Sequence, residues 1–182
     1  MKKILKKHWS NIIFVIAVVL IFHPTSKEWI LRTIAFSPSL NSKQEVLSDF
    51  DWKLRGLNTE NTQLENLKGK VIFVNFWATW CPPCRAELPA IQNLYNEYKD
   101  EVVFLFVTQE SEKVVLDFFD KHQYNLPVYN SVSSVPIELA ATNSIPATYI
   151  LNKKGEIVIS KTGAADWDSD KTKRIIEELI KE

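Results

Sequence analysis

The sequence predicts an α/β protein in which helices and a central sheet form three layers. Two apolar runs, at residues 71–77 and 102–107, are typical of strands that are buried on both faces. A helical pattern follows each run, and the chain closes with a strand–turn–strand pattern and a last helix. Parallel β–α–β units that end in a hairpin and a helix give a layered sandwich.

Each element follows from a local pattern along the chain. Phe50, Trp52 and Leu54 alternate with charged residues, as in an edge strand. A proline at position 82 is tolerated in the first turn of a helix, because the N–H there has no partner within the helix. The elements expected after the edge strand are strand 71–77, helix 82–98, strand 102–107, helix 113–122, strand 126–129, short helix 136–141, strands 147–151 and 156–160, and helix 169–181.

Composition and charge are compatible with one folded domain and an appendage, and they argue against a nucleic-acid partner. The chain has 182 residues, and 46% of them are hydrophobic, which is enough for a core. Its 22 basic and 22 acidic side chains cancel, but residues 1–23 hold four lysines and no acid. The rest therefore carries 18 basic against 22 acidic residues, and we expect no basic face for nucleic acid.

The N-terminal residues predict an export signal that is retained as a membrane anchor. Lysines precede an uninterrupted apolar run at 12–22, and no small-x-small cleavage site follows it. We expect residues 1–23 to form a cytoplasmic basic tail and a transmembrane signal anchor, and residues 24–47 to form a juxtamembrane stretch and linker. A cleaved signal peptide is the alternative, because the run is shorter than the roughly 20 residues that span a bilayer.

Both alternatives place the folded domain, residues 48–182, outside the cytoplasm, because positive flanks stay on the cytoplasmic side. We therefore expect a single-pass protein of the cell membrane whose folded domain lies in the periplasm or elsewhere outside the cytoplasm. Disulfides persist in such compartments, whereas thiols of cytosolic proteins are kept reduced. We therefore expect the cysteines to face a compartment where a disulfide persists.

The two cysteines of the chain, Cys81 and Cys84, stand between a predicted strand and a predicted helix. Thiols at this spacing close a disulfide that is reactive in this context. Cys81 would lie at the N-terminus of the helix, where free N–H groups and the helix dipole stabilise a thiolate. Arg85 adds positive charge nearby, and the ring of Trp80 can shelter one side. We predict that Cys81 attacks a disulfide and that Cys84 resolves the mixed disulfide.

A metal site and a structural disulfide explain the cysteine pair less well. Zinc needs about four ligands, and the other candidates are His8, His23 and His122. Two of these histidines lie in the predicted export segment. A disulfide that closes a loop of two residues would constrain almost no chain. We therefore expect neither a metal nor a cofactor.

The sequence FWATWCPPCRAELP at residues 76–89, together with IPATY at residues 145–149, resembles the thioredoxin superfamily. The resemblance is strongest to membrane-anchored TlpA/ResA-like thiol–disulfide oxidoreductases, and it covers about residues 48–182. It implies a thioredoxin fold with a central mixed sheet. It also implies a reductase of disulfides in exported proteins, including a role in cytochrome c maturation. Such a reductase would depend on an electron donor in the membrane.

The resemblance also assigns roles to single residues. Pro146 matches a cis-proline that faces the disulfide, so the backbone of Ile145 would pair with an extended substrate segment. We predict that Trp80, Ile145 and Pro146 bind substrate. Glu87 matches the glutamate of the ResA-like group. It would share a helix face with Cys84 and, if buried, would take the proton of Cys84 during resolution. A solvated glutamate is the alternative. Asn75 stands where many thioredoxins bury an aspartate.

Two other functions remain open at this point. The protein could be a disulfide-forming oxidase, because the dipeptide between the cysteines does not reveal the reduction potential. It could also be a thioredoxin-fold module for binding or redox sensing, although an intact cysteine pair with Trp80 and Pro146 argues against a pure binder. The expected partners are exported proteins with disulfides and a membrane electron donor, and we expect a monomer.

Overall fold

The computed structural model describes Phe14, Pro38 and residues 45–140 and 142–182. The predicted anchor at 1–23 and the linker at 24–47 therefore lie outside the described residues, apart from those two positions and the last residues of the linker. Among the described residues, no helix combines the length and the apolar character that a membrane crossing requires.

One mixed sheet of eight strands carries the described part of the chain. The strands are β1 (Glu45–Val46), β2 (Lys53–Gly56), β3 (Thr62–Gln63), β4 (Val71–Phe76), β5 (Val102–Val107), β6 (Val128–Ser131), β7 (Ala147–Leu151) and β8 (Glu156–Thr162). Their order across the sheet is β1-β8-β7-β4-β5-β6-β2-β3. Strands β4, β5 and β6 run parallel to one another, and the other pairs are antiparallel.

Within residues 45–140 and 142–182, three helices and one short turn complete these elements. The helices are α1 (Pro82–Tyr98), α2 (Glu112–His122) and α3 (Asp170–Lys181), and a 3-10 turn covers Leu64–Leu67. Helix α1 has the predicted bounds, and α2 and α3 differ from prediction by one residue at their starts. Ser169 precedes α3 as its cap, and its hydroxyl accepts a hydrogen bond from the N–H of Thr172 at 3.4 Å.

The two faces of the sheet are covered by different kinds of structure. Phe73 of β4 joins one cluster of buried side chains and its neighbour Ile72 joins another, so the clusters lie on opposite faces. All three helices contribute side chains to the cluster that contains Phe73. In the described part of the chain, the 3-10 turn and irregular segments that include Leu139 close the opposite cluster. Among the described residues, this layer therefore contains no α-helix.

The direction of the crossovers explains this arrangement. The connections β4–α1–β5 and β5–α2–β6 both step to the next strand in the same direction. Because such crossovers are right-handed, they place α1 and α2 on the same face.

The prediction of a helix at 136–141 is wrong for the described residues 136–140, which form a single turn. There the N–H groups of Leu139 and Ala140 both donate to the carbonyl of Pro136 at 3.0 Å, and so short a segment does not repay helix nucleation.

The sheet brings together two segments that are far apart in the chain. Phe76 at the end of β4 pairs with Ala147 at the start of β7. Cys81 follows β4 and Pro146 precedes β7, so both come to the same end of the central strands. This register builds the candidate site.

Candidate active site

Cys81 and Cys84 form a disulfide at the N-terminus of α1, with their Cα atoms 5.3 Å apart. Cys81 is the capping residue of the helix, and its Sγ accepts a hydrogen bond from the N–H of Cys84 at 3.2 Å. Pro82 takes the first helical position, which needs no N–H donor. After reduction, Cys81 therefore stands where the helix terminus stabilises a thiolate.

The peptide bond between Ile145 and Pro146 is cis, and it lies against the disulfide. The Sγ of Cys81 is 3.8 Å from the carbonyl oxygen of Ile145. The N–H of Gly163 donates to the carbonyl of Pro146 at 2.8 Å, which ties this segment to the end of β8. The structure therefore brings Ile145 and Pro146, two of the three predicted substrate-binding residues, to Cys81, and their role in binding stays a prediction.

Trp80 lies on the open side of the site, and Arg85 lies against α2. Trp80 is 69% exposed, so its ring extends into solvent more than it shelters the disulfide. The guanidinium of Arg85 lies 5.7 Å from the centre of the Phe118 ring, within the range of a cation–π contact. This contact with α2 helps to hold the positive charge near the start of α1.

Glu87 is buried on α1, with 2% of the residue exposed. Three N–H groups donate to its carboxyl oxygens: the side chain of Asn75 at 2.9 Å, the backbone of Ala165 at 3.2 Å and the indole of Trp167 at 2.9 Å. Glu87 follows Cys84 by one helical turn, and both residues are buried. The alternative of a solvated helix glutamate is therefore wrong.

Burial raises the pKa of Glu87 to about 7. The hydrogen bonds from Trp167, Asn75 and Ala165 and the positive charge of Lys161 all lower this pKa, but the loss of hydration outweighs them. About half of the molecules would carry a proton on Glu87 near neutral pH. A group with such a pKa can both accept and release a proton at that pH.

Asn75 and Thr148 extend the polar cluster into the sheet. Both are fully buried and pair across β4 and β7. The Nδ2 of Asn75 donates to Glu87 Oε1 and also to Thr148 Oγ1 at 2.8 Å. Sequence reasoning assigned no role to Thr148 or Trp167. The polar residues that interrupt the apolar strands β4 and β7 are the signal that could have found the Asn75–Thr148 pair.

A second carboxylate holds the loop before the cysteines. Glu110 follows β5, and its two carboxylate oxygens accept the backbone N–H of Thr79 at 2.6 Å and the hydroxyl of Thr79 at 2.7 Å. The side chain of Asn130 donates to the carbonyl of Glu110 at 3.1 Å. No sequence pattern pointed to this contact, because it joins residues from two separate loops.

An open groove of about 850 Å³ runs beside these residues. Its walls come from the loop before α1, the ends of β5 and β6, and the segment before β7. The lining residues are Arg55, Phe76, Trp77, Ala78, Trp80, Val107, Thr108, Gln109, Glu110, Asn130, Ser131, Val132, Val135, Asn143 and Ile145. The groove is lined by both polar and apolar side chains, and it leads to Trp80 and Ile145, next to the disulfide. Within the described residues, no cluster of side chains could hold a metal ion.

Comparison with known proteins relates this site to thiol–disulfide oxidoreductases. The chain is 38% identical over 111 residues to the thioredoxin-like protein YneN of Bacillus subtilis, and the match covers 59% of this chain and 65% of YneN. It is 33% identical over 129 residues to the thiol-disulfide oxidoreductase ResA of Halalkalibacterium halodurans, and the match covers 70% of each chain. The chain therefore spans about two thirds of the length of these curated relatives.

A solved structure and a family match agree with this relationship. The crystal structure of StoA from Bacillus subtilis superimposes with a TM-score of 0.55 at 27% identity, over 71% of this chain and 95% of StoA. The predicted thioredoxin fold is confirmed, and the names of the curated relatives agree with the predicted class of thiol–disulfide oxidoreductase. Residues 44–160 match the AhpC/TSA family. This match covers more than half of the chain, which therefore belongs to the AhpC/TSA family as a homologue of the ResA- and StoA-type thiol–disulfide oxidoreductases.

Proposed function

We propose that the protein is a membrane-tethered reductase of disulfides in exported proteins. The observation that carries this proposal is the Cys81–Cys84 disulfide at a helix N-terminus, where it meets a cis-proline segment and lies one helical turn from a buried acid. Each part has a chemical task in thiol–disulfide exchange. The names of the curated relatives support the reaction class, and the sequence pattern at residues 1–23 supports the tether.

The reaction transfers two electrons from the dithiol to the substrate. The thiolate of Cys81 attacks one sulfur of a substrate disulfide, and the other substrate sulfur leaves as a thiolate. Cys84 then attacks the Sγ of Cys81 in the mixed disulfide and releases the second substrate sulfur. Each released substrate thiolate takes a proton from water. The Cys81–Cys84 disulfide is the oxidised product, and the substrate is reduced.

Glu87 would supply the base for the second step. Cys84 must lose its thiol proton before it can attack, and solvent has little access because Cys84 is 1% exposed. Glu87 lies one helical turn away on the buried side of α1. Its pKa of about 7 suits the acceptance of a proton near neutral pH.

Substrate would approach from the open side. The cis-proline segment offers backbone at Ile145 for pairing with an extended peptide, and Trp80 presents an exposed ring beside it. Recharging needs a donor that brings cytoplasmic reducing power across the membrane. A role in cytochrome c maturation would consist of reducing the haem-binding cysteines of an apocytochrome.

The direction of electron transfer is tested by the reduction potential of the cysteine pair. The full chain is equilibrated with glutathione or dithiothreitol buffers, and the two redox forms are quantified. A value near the thioredoxin end, roughly −270 mV, supports a reductase. A value near roughly −120 mV would make the protein an oxidase that inserts disulfides.

Trapping tests the class of substrate. A Cys84→Ser variant should accumulate mixed disulfides through Cys81, and a Cys81→Ser, Cys84→Ser variant serves as the matched control. Exported proteins captured only by the single variant support the proposal. If no protein is captured from cells in which the variant is well expressed, a protein substrate is contradicted. If partners bind without any disulfide turnover, the protein is a binding or sensing module instead.

A further inference from the structure

The polar cluster of Glu87, Asn75 and Thr148 contains a buried atom that has no role in the proposed reaction and no hydrogen-bond partner among the described residues. The Nδ2 of Asn75 donates to Glu87 Oε1 at 2.9 Å and to Thr148 Oγ1 at 2.8 Å. The Oδ1 of Asn75 is buried and has no hydrogen-bond partner among the described residues. Since most buried polar side-chain atoms in proteins are paired, an unpaired amide oxygen close to an acid needs a physical reason.

A proton on Glu87 would need a hydrogen-bond acceptor, and the surroundings of the carboxyl group lack one. The carboxyl group is contacted by three N–H donors, from Asn75, Ala165 and Trp167. Donors suit a carboxylate, which only accepts hydrogen bonds. A protonated carboxyl must also donate its O–H, and these three contacts offer it no acceptor. The present orientation of Asn75 therefore fits the ionised form of Glu87 only.

A half-turn of the Asn75 amide removes this conflict. The amide is planar and almost symmetric in shape, so the turn exchanges Oδ1 and Nδ2 with little change in packing. Oδ1 would then lie between Glu87 Oε1 and Thr148 Oγ1. There it could accept the O–H of the protonated acid and the hydroxyl of Thr148. Each of the two amide orientations thus matches one protonation state of Glu87, and in each the other amide atom takes the buried position where Oδ1 now has no partner among the described residues.

We propose that Asn75 is a positioning residue whose side-chain amide turns over when Glu87 gains or loses a proton. Nδ2 faces the carboxylate, and Oδ1 faces the protonated acid. In the reaction, the turn would let Glu87 hold the proton that Cys84 gives up and release it later. Only this consequence rests on the proposed function, because the turn itself requires nothing but the titration of Glu87.

The groups around Glu87 allow its titration to be distinguished from the titration of other groups. Strands β4 and β7 contribute the neutral side chains of Asn75 and Thr148, and the loop before α3 contributes an indole and a backbone N–H. Lys161 of β8 is the charged side chain that acts on Glu87 from the described residues, and it lowers the pKa of the acid. Cys84 on α1 is held in the disulfide. In the oxidised protein, a change at the amide near pH 7 would therefore report on Glu87.

The test is an NMR titration of the full chain with its disulfide intact. It follows the side-chain amide protons of Asn75 and the carboxyl carbon of Glu87. We expect both signals to move with one midpoint, and we expect the Overhauser contacts between the Asn75 amide protons and the Thr148 methyl group to weaken as Glu87 is protonated. Contacts that stay constant while the Glu87 carbon titrates would overturn the proposal.

Two variants sharpen this test. In Glu87→Gln no proton can be gained, so the Asn75 signals should no longer respond to pH, and an undiminished response would overturn the proposal. In Lys161→Gln the midpoints of Glu87 and Asn75 should rise together, and midpoints that separate would overturn it. Neither readout needs a substrate. A protein without reductase turnover would therefore count against the proposed function, while the amide signals still decide this inference.

Discussion

Two glutamates lie on different sides of the active-site loop, and their surroundings differ in burial more than in hydrogen bonding. Glu87 is 2% exposed and accepts three N–H groups, whereas Glu110 is half-buried and accepts two hydrogen bonds from Thr79. The pKa of Glu87 rises although all three donors favour its charged form. Burial thus suits Glu87 to carry a proton. The two hydrogen bonds from Thr79 suit Glu110 to hold the loop before Cys81.

The largest expected effect concerns stability and depends on the burial of Glu87. Its pKa is raised from 4.5 in the unfolded chain to about 7 in the folded protein, so the folded state binds the proton more tightly. The resulting stabilisation is complete below pH 4.5 and is lost as pH rises through about 7. Relative to Glu87→Gln, the wild type should lose about 3 kcal/mol of unfolding free energy between acidic and alkaline pH.

Denaturant unfolding of both proteins at a series of pH values measures this difference. The acidic end serves as the internal control, because both side chains are neutral there and nearly equal in shape, and they differ only in their hydrogen-bonding groups. Parallel stability curves for the two proteins would show that Glu87 is not buried as described.

The next effect concerns the rate at which the mixed disulfide is resolved. Without a base, Cys84 loses its proton more slowly, so Glu87→Gln should slow resolution by about 100-fold at pH 7. The rate is measured in a single turnover with a small-molecule disulfide. Glu110→Gln is the matched control and is expected to slow this step far less. Equal losses in the two variants would remove the functional distinction between the two carboxyl groups.

A smaller effect should follow from the loss of one donor to Glu87. Trp167→Phe removes the indole N–H that favours the charged form, so the pKa of Glu87 should rise further. The carboxyl carbon shift of Glu87 measures the change. Trp52→Phe is a matched control, because Trp52 is also buried but donates its indole N–H to Ser131 Oγ at 2.7 Å. A pKa that stays constant in Trp167→Phe would contradict the contact.

The smallest effect concerns the loop that Glu110 holds. Thr79→Val removes the hydroxyl that donates to Glu110 and keeps the backbone N–H contact. The unfolding free energy should fall by about 1 kcal/mol, and Thr79→Ser should restore most of it. Equal stability of the valine variant and the wild type would mean that the hydroxyl contact contributes nothing to the loop.

Local patterns were enough to predict most of the elements of this fold. Helix α1 begins and ends as expected, because Pro82 is compatible with a first helical turn and buried strands flank the helix. Strand β6 begins at Val128, two residues later than expected, because hydrogen bonds across the sheet set its register. The covering of the second face by irregular segments follows from strand order, which no local pattern contains.

The sequence was sufficient to identify the redox pair, since two cysteines three positions apart at a predicted helix start form a local signal. The resemblance of residues 76–89 and 145–149 to known proteins pointed to its family. The state of Glu87 could not be derived in the same way. Its hydrogen-bond donors lie 12, 78 and 80 residues away along the chain, and its burial depends on the packing of α1 against β4 and the loop before α3. Because proton affinity depends on hydration and on neighbours in space, it is a property of the folded protein.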